Sequence, residues 1–114
     1  MCRFARKQNC MKALVLRKES FNVEEVENLT LDKDEVLVKI KFAALNHRDQ
    51  WIREGQYAKI QLPAILGSDG CGEVIEVQNM QDQHWIGKSV ILNPNINWGT
   101  DTHFQNKEYQ ILGM

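Results

Sequence analysis

Gly67-Ser68-Asp69-Gly70-Cys71-Gly72-Glu73-Val74-Ile75-Glu76-Val77 sets three glycines within six residues directly before an alternating run. A phosphate-binding loop also carries clustered glycines, but in the order G-x-G-x-x-G, after a strand and before a helix whose N-terminus faces the anion. Here the order is G-x-x-G-x-G, and the residues that follow have a period of two. They read as a strand, so the glycines serve as backbone devices for a tight bend or bulge at the corner of a β structure. No dinucleotide-binding unit is encoded at this point.

The flanking segments point the same way. Val36, Val38, Ile40 and Phe42 alternate with Leu37, Lys39 and Lys41, which predicts a strand with one apolar face, half buried. Further strands are expected over 11–17, from Phe21 to Val26, and over 89–92, where Pro94 ends the run. The period changes only between Asn46 and Gly55. Asn46 is placed to cap a short helix, Asp49 falls in its first turn, and Gly55 stops it. Residues 78–83 read as a polar turn, and from Asn95 onward the residues predict a long loop. Many short strands with one or two short helices and no β-α-β alternation predict a mainly β fold, a barrel or a sandwich.

Length and composition narrow the function classes. A chain of 114 residues, 43% hydrophobic and 25% charged, suits one globular domain. The net charge of -1, with acidic and basic residues interleaved, gives no footprint for nucleic acid. No apolar run spans a bilayer, and the basic start lacks the apolar stretch of a secretion signal, so no membrane partner and a cytoplasmic location are expected. Residues 1–10 read as a disordered lead, with the domain proper at 11–114. Three cysteines, Cys2, Cys10 and Cys71, argue against a disulfide framework, and Cys71 between two glycines reads as a small buried hydrophobe.

Three segments, taken together and in order, resemble the medium-chain dehydrogenase/reductase superfamily. They are Phe42-Ala43-Ala44-Leu45-Asn46-His47-Arg48-Asp49; Gly55-Gln56-Tyr57 with Leu62-Pro63-Ala64-Ile65-Leu66-Gly67-Ser68-Asp69-Gly70-Cys71-Gly72-Glu73-Val74; and Gly87-Lys88-Ser89-Val90-Ile91-Leu92-Asn93-Pro94. Each motif is weak alone. The ordered set is specific, covers roughly 11–113, and is most similar to the quinone-oxidoreductase-like, zinc-free branches of the zinc-type alcohol dehydrogenase relatives. The resemblance implies a GroES-like, partly open β-barrel that forms the substrate side of an NAD(P)-dependent oxidoreductase, truncated here and without the Rossmann domain.

The departures from the zinc pattern are chemical. Zinc members of the superfamily place a cysteine where this chain has Asn46 and a histidine where it has Ser68. An amide and a hydroxyl are poor ligands for zinc in place of a thiolate and an imidazole. The structural zinc lobe of those members carries four cysteines, and 97–109 here has none. No zinc is therefore expected.

The resemblance implies roles for seven residues. Asn46 and Tyr57 are the catalytic candidates. Asn46, His47 and Arg48 are candidates for holding the cofactor, and Asp49, Ser68 and Asp69 for lining the substrate cleft. Plainer readings stand beside them: Asn46 as a helix cap, Tyr57 as a half-buried aromatic, Arg48 as a solvated helix residue, and Asp49 and Asp69 as braces. His84 and His103 read as surface histidines. The expected activity is zinc-independent reduction or oxidation of carbonyl, quinone or enone/alcohol substrates with NADP or NAD in a full-length parent. This chain by itself is expected to bind no cofactor tightly. The alternative is a catalytically inactive fragment that folds as a self-associating module, a homo-oligomer through exposed sheet edges. A GroES-like co-chaperonin module would share the fold, but fold alone does not confer function.

Overall fold

The computed structural model describes residues 10–113, so of the expected lead only Cys10 falls within it, as the first residue of β1; 1–9 lie outside the described residues. Eight strands, one α-helix and one 3-10 helix are formed among the described residues. The strands are β1 (Cys10–Leu16), β2 (Phe21–Glu27), β3 (Val36–Ala44), β4 (Ala64–Ile65), β5 (Asp69–Val77), β6 (Ser89–Ile91), β7 (Asn95–Ile96) and β8 (Gln110–Ile111). The helix α1 is His47–Arg53, and the 3-10 turn is Met80–Trp85. Among the described residues no helix is long and apolar enough to cross a membrane.

The chain divides into two compact units. The first contains Glu25–Ala43 and Gly70–Leu92, and its sheet runs β3-β5-β6. β5 and β6 are antiparallel, with Cys71 opposite Ile91, Gly72 opposite Val90 and Glu73 opposite Ser89. Val74 on β5 is fully buried. On the polar face, Lys41 donates to Glu73 at 3.1 Å. Of the three glycines expected to serve a tight bend or bulge, Gly67 adopts φ +101° in the turn before β5, while Gly70 and Gly72 lie inside the strand. The reason for glycine is close approach: a Cβ at Gly72 would run into the backbone carbonyl of Lys39. β3 is less covered than its alternation predicts. Val36 is 41% exposed, Ile40 47% and Phe42 75%, so among the described residues little lies against that face.

The second unit contains Ala13–Glu24, Ala44–Asp69 and the residues from Asn93 onward. β1 pairs antiparallel with β4, Val15 opposite Ile65 and Leu16 opposite Ala64, and the Leu66 N–H continues the ladder to Leu14 O at 3.0 Å. Leu16, Ile52, Ala64 and Leu66 form its core, with Phe21, Tyr57 and Ile60 packed against them. Apolar burial of this kind contributes about 1.5–3 kcal/mol per large side chain.

Two expectations are refined here. The long loop after Asn95 contains a hairpin, with Asn95 opposite Ile111 and Ile96 opposite Gln110. It is pinned by Trp98 edge-on to Tyr109 (5.4 Å), by the Tyr109 hydroxyl donating to Asn95 Oδ1 (2.6 Å) and by Trp98 Nε1 donating to Asp101 O (2.9 Å). Such pins are invisible to periodicity because they join residues far apart along a polar stretch. Cys71 is a free, half-buried thiol, whereas Cys10 is disulfide-bonded.

Candidate functional site

Every candidate residue lies on α1, on the segment just after it, or on the turn into β5, all within the second unit. Asn46 leaves β3 in an extended conformation (φ -113°, ψ 167°) and caps α1 as expected. Asp49 Oδ2 accepts the Asn46 N–H at 2.8 Å, the return half of a capping box. At the other end, Gly55 adopts φ +73°. Its N–H reaches Ile52 O at 3.1 Å, and the Gln56 N–H reaches Trp51 O at 2.9 Å. These two bonds are a Schellman motif, which explains why the helix stops after seven residues.

Asp49 is the hub. Only 3% of it is exposed, and its second oxygen, Oδ1, accepts the Gly67 N–H at 3.1 Å. One carboxylate therefore satisfies the start of the helix and the turn that precedes β5. Its charge also suits the positive end of the helix. Ser68, next to Gly67, is 6% exposed. Asp69 is exposed and accepts from Asn46 Nδ2 at 2.6 Å. Because an ionised carboxylate can only accept, the orientation of the Asn46 amide follows from this bond. Asn46, Asp49, Ser68 and Asp69 thus form one connected patch.

Arg48 borders that patch through Asp49 and reaches from it toward Leu112 and Gly113. Its guanidinium is largely buried and lies over the Tyr57 ring, 5.3 Å from the centroid. Nη1 donates to Leu112 O at 3.4 Å and Nη2 to Gly113 O at 3.5 Å, while Nε is buried without a partner. Nη1 also stands 4.0 Å from Asp49 Oδ1. Gly113 (φ +83°) crosses Gly67 (φ +101°) so closely that a Cβ on Gly113 would meet the Gly67 carbonyl. Neither contact has a signature in the sequence, since Leu112 and Gly113 lie more than sixty residues from Arg48. Tyr57 is half buried between Arg48 and the core. His47 is exposed and packs edge-on against Trp51, with centroids 5.0 Å apart.

Asn46 and Ser68 offer an amide and a hydroxyl, donors less suited to zinc than a thiolate or an imidazole, and Asp69 is engaged by Asn46. The hairpin after Asn95 is held by aromatic and hydrogen-bond contacts among residues that include no cysteine.

The profile of the "Alcohol dehydrogenase GroES-like domain" family matches residues 32–114. The chain is similar to "Zinc-type alcohol dehydrogenase-like protein C1773.06c" of Schizosaccharomyces pombe, 39% identical over 92 residues, 78% of this chain and 25% of that one. It is 38% identical over 71 residues to "Zinc-type alcohol dehydrogenase-like protein YogA" of Leptosphaeria maculans, covering 60% of this chain and 20% of that protein. "Acryloyl-coenzyme A reductase" of Metallosphaera sedula is 36% identical over 69 residues, 59% of this chain and 21% of its own. A solved structure, "Crystal Structure of NAD-dependent alcohol dehydrogenase", superposes with a TM-score of 0.78 at 34% identity, over 90% of this chain and 33% of that one. The chain therefore spans about a quarter or less of the length of these curated relatives. The mainly β fold expected from the residues, and the GroES-like fold that the resemblance implied, are the fold found.

Proposed function

The chain belongs to the alcohol dehydrogenase GroES-like domain family of the medium-chain dehydrogenase/reductase superfamily, and from that membership we propose that it is the substrate side of a zinc-independent, nicotinamide-dependent oxidoreductase acting on carbonyl, quinone or enone/alcohol substrates. The observation that carries this reading is the Asn46–Asp69 hydrogen bond at 2.6 Å beside the buried Ser68. An amide, a hydroxyl and a carboxylate, all harder donors than the thiolate and imidazole that zinc favours, support this reading.

A nicotinamide cofactor, when bound, would carry the hydride: its reduced form would give one to a carbonyl, quinone or enone, and its oxidised form would take one from an alcohol. The residues of this chain would orient and shield it. Asp69 holds the Asn46 amide in one orientation, leaving donor and acceptor capacity for a carboxamide, a ribose hydroxyl or a substrate oxygen. His47, exposed beside Asn46, is the second cofactor candidate. Arg48 acts one step away, gripping the Leu112 and Gly113 carbonyls and stacking on Tyr57, whose phenol is the candidate donor to substrate. A cytoplasmic location goes with this reading.

The exposed apolar residues of the first unit, Phe42 and Ile91 above all, favour a second reading: an inactive, self-associating module. One titration separates the two. With NADPH added at high concentration, the first reading expects the amide resonances of Asn46 and His47 to shift; no movement there marks the second. Metal analysis of the purified chain checks the zinc claim, and one bound equivalent of zinc would refute it.

A further inference from the structure

β3 is the one long apolar edge among the described strands. It ends the β3-β5-β6 sheet and is nine residues long, with alternate residues presenting their backbone N–H and C=O to its open side. The other sheet edges differ. β6 has three residues and β4 two. β2 has seven but carries Glu24, Glu25 and Glu27, which would repel a second β2. A long, apolar, unpaired edge is a template for another strand.

The charges around β3 are segregated along the chain. Asp34 and Glu35 precede it, and Lys39 and Lys41 occupy its second half. Antiparallel pairing with itself brings the acidic end of one copy against the basic end of the other. We propose that β3 pairs antiparallel with β3 of a second copy about a two-fold axis at Val38, joining two three-stranded sheets into one of six.

The register follows from charge and face. With the axis at Val38, Glu35 lies opposite Lys41 of the second copy, Val36 opposite Ile40 and Leu37 opposite Lys39. The apolar residues Val36, Val38 and Ile40 then continue across the junction on one face. An axis at Ile40 sets Lys39 against Lys41, and an axis at Lys39 sets that lysine against itself. An axis at Leu37 sets Lys41 against Lys33 and Ile40 against Asp34. Only the Val38 register opposes unlike charges without a clash of like ones. Lys41 would then stand between Glu73 of its own sheet, 3.1 Å away, and Glu35 of the second copy.

Light scattering after size exclusion, run on this chain across a concentration series, is the first test. The expected mass is twice the 13.2 kDa of the chain at high concentration, falling on dilution. In a Cys71→Ser background, Val38→Cys should give a covalent dimer under mild oxidation, because the two substituted positions face each other, while Val36→Cys should not. Glu35→Lys should weaken association roughly tenfold, from two like-charge pairs across the junction, and adding Lys41→Glu should restore it. Far-ultraviolet circular dichroism confirms that each variant is folded. A mass of one chain at every concentration overturns the proposal, as does a dimer that cross-links equally well from Val36→Cys.

Discussion

Asp49 and Gly67 are joined by a hydrogen bond of 3.1 Å from the Gly67 N–H to a carboxylate that is almost wholly buried. The same side chain holds the Asn46 N–H at 2.8 Å, so one residue sets both walls of the candidate site. Each bond to a buried charge contributes about 1.5–3 kcal/mol. Asp49→Ala is therefore expected to destabilise the fold by about 3 kcal/mol or more, read as a lower urea midpoint. Asp49→Asn recovers only part of the loss, since half of the amide donates where an acceptor is required. An unchanged midpoint in Asp49→Ala would show that the knot is decorative.

Gly72→Ala tests the close approach of β5 to β3. A methyl group there meets the Lys39 carbonyl, which can yield only by moving a strand. Overpacking of this kind costs about 1–3 kcal/mol. Gly87→Ala is the control: nothing stands near its Cβ, and only its φ of +82° is strained, at about 1 kcal/mol. Equal denaturation midpoints for the two variants would contradict the packing account.

Zinc binding is expected to be a two-substitution property. Asn46→Cys together with Ser68→His supplies a thiolate and an imidazole beside Asp69, which already touches position 46. The double variant should bind cobalt(II) with the intense visible bands of a tetrahedral thiolate site, and the parent chain should not. Bands of equal strength in the parent would mean that another donor set holds the metal.

Acid sensitivity should include a contribution from Glu24. Arg17 Nε and Nη2 donate to it at 2.9–3.1 Å, and this hydrogen bonding, with the guanidinium charge, draws the carboxyl below its ordinary value of 4.5. A lowered folded value means that the stabilisation is present above pH 4.5 and is lost as the pH falls through the folded value. Both groups are solvated, so the effect is small and screened by salt. Glu24→Gln should flatten the acid limb of the stability curve at low ionic strength, and identical limbs for the two proteins would contradict the pairing.

Much of the fold could be read from residue order because its signals are local. The alternation over 36–42, the Asn46 cap, the Gly55 stop and the strand after the glycine-rich stretch each depend on neighbours in the chain. The two-residue strands β4, β7 and β8 could not be read, since strands that short have no period and exist only because partners lie alongside. The coverage of β3 was overestimated for a similar reason: alternation reports which face is apolar but not what lies against it.

By itself the sequence determined the chemistry available at the site: an amide at 46, a hydroxyl at 68, carboxylates at 49 and 69, and no cysteine cluster to hold a metal. Only the tertiary structure decided how these groups are used. It joined Asn46 to Asp69, buried Asp49 between two backbone amides, and turned Arg48 onto the carbonyls of Leu112 and Gly113. The physical reason is range. Residue type and local period act over a few positions, as in the Asn46–Asp49 bond three residues apart, whereas the contacts of Asp49 with Gly67, of Asn46 with Asp69 and of Arg48 with Leu112 and Gly113 close loops of 18 to 65 residues, and a loop closes only when the packing it makes possible outweighs the entropy lost.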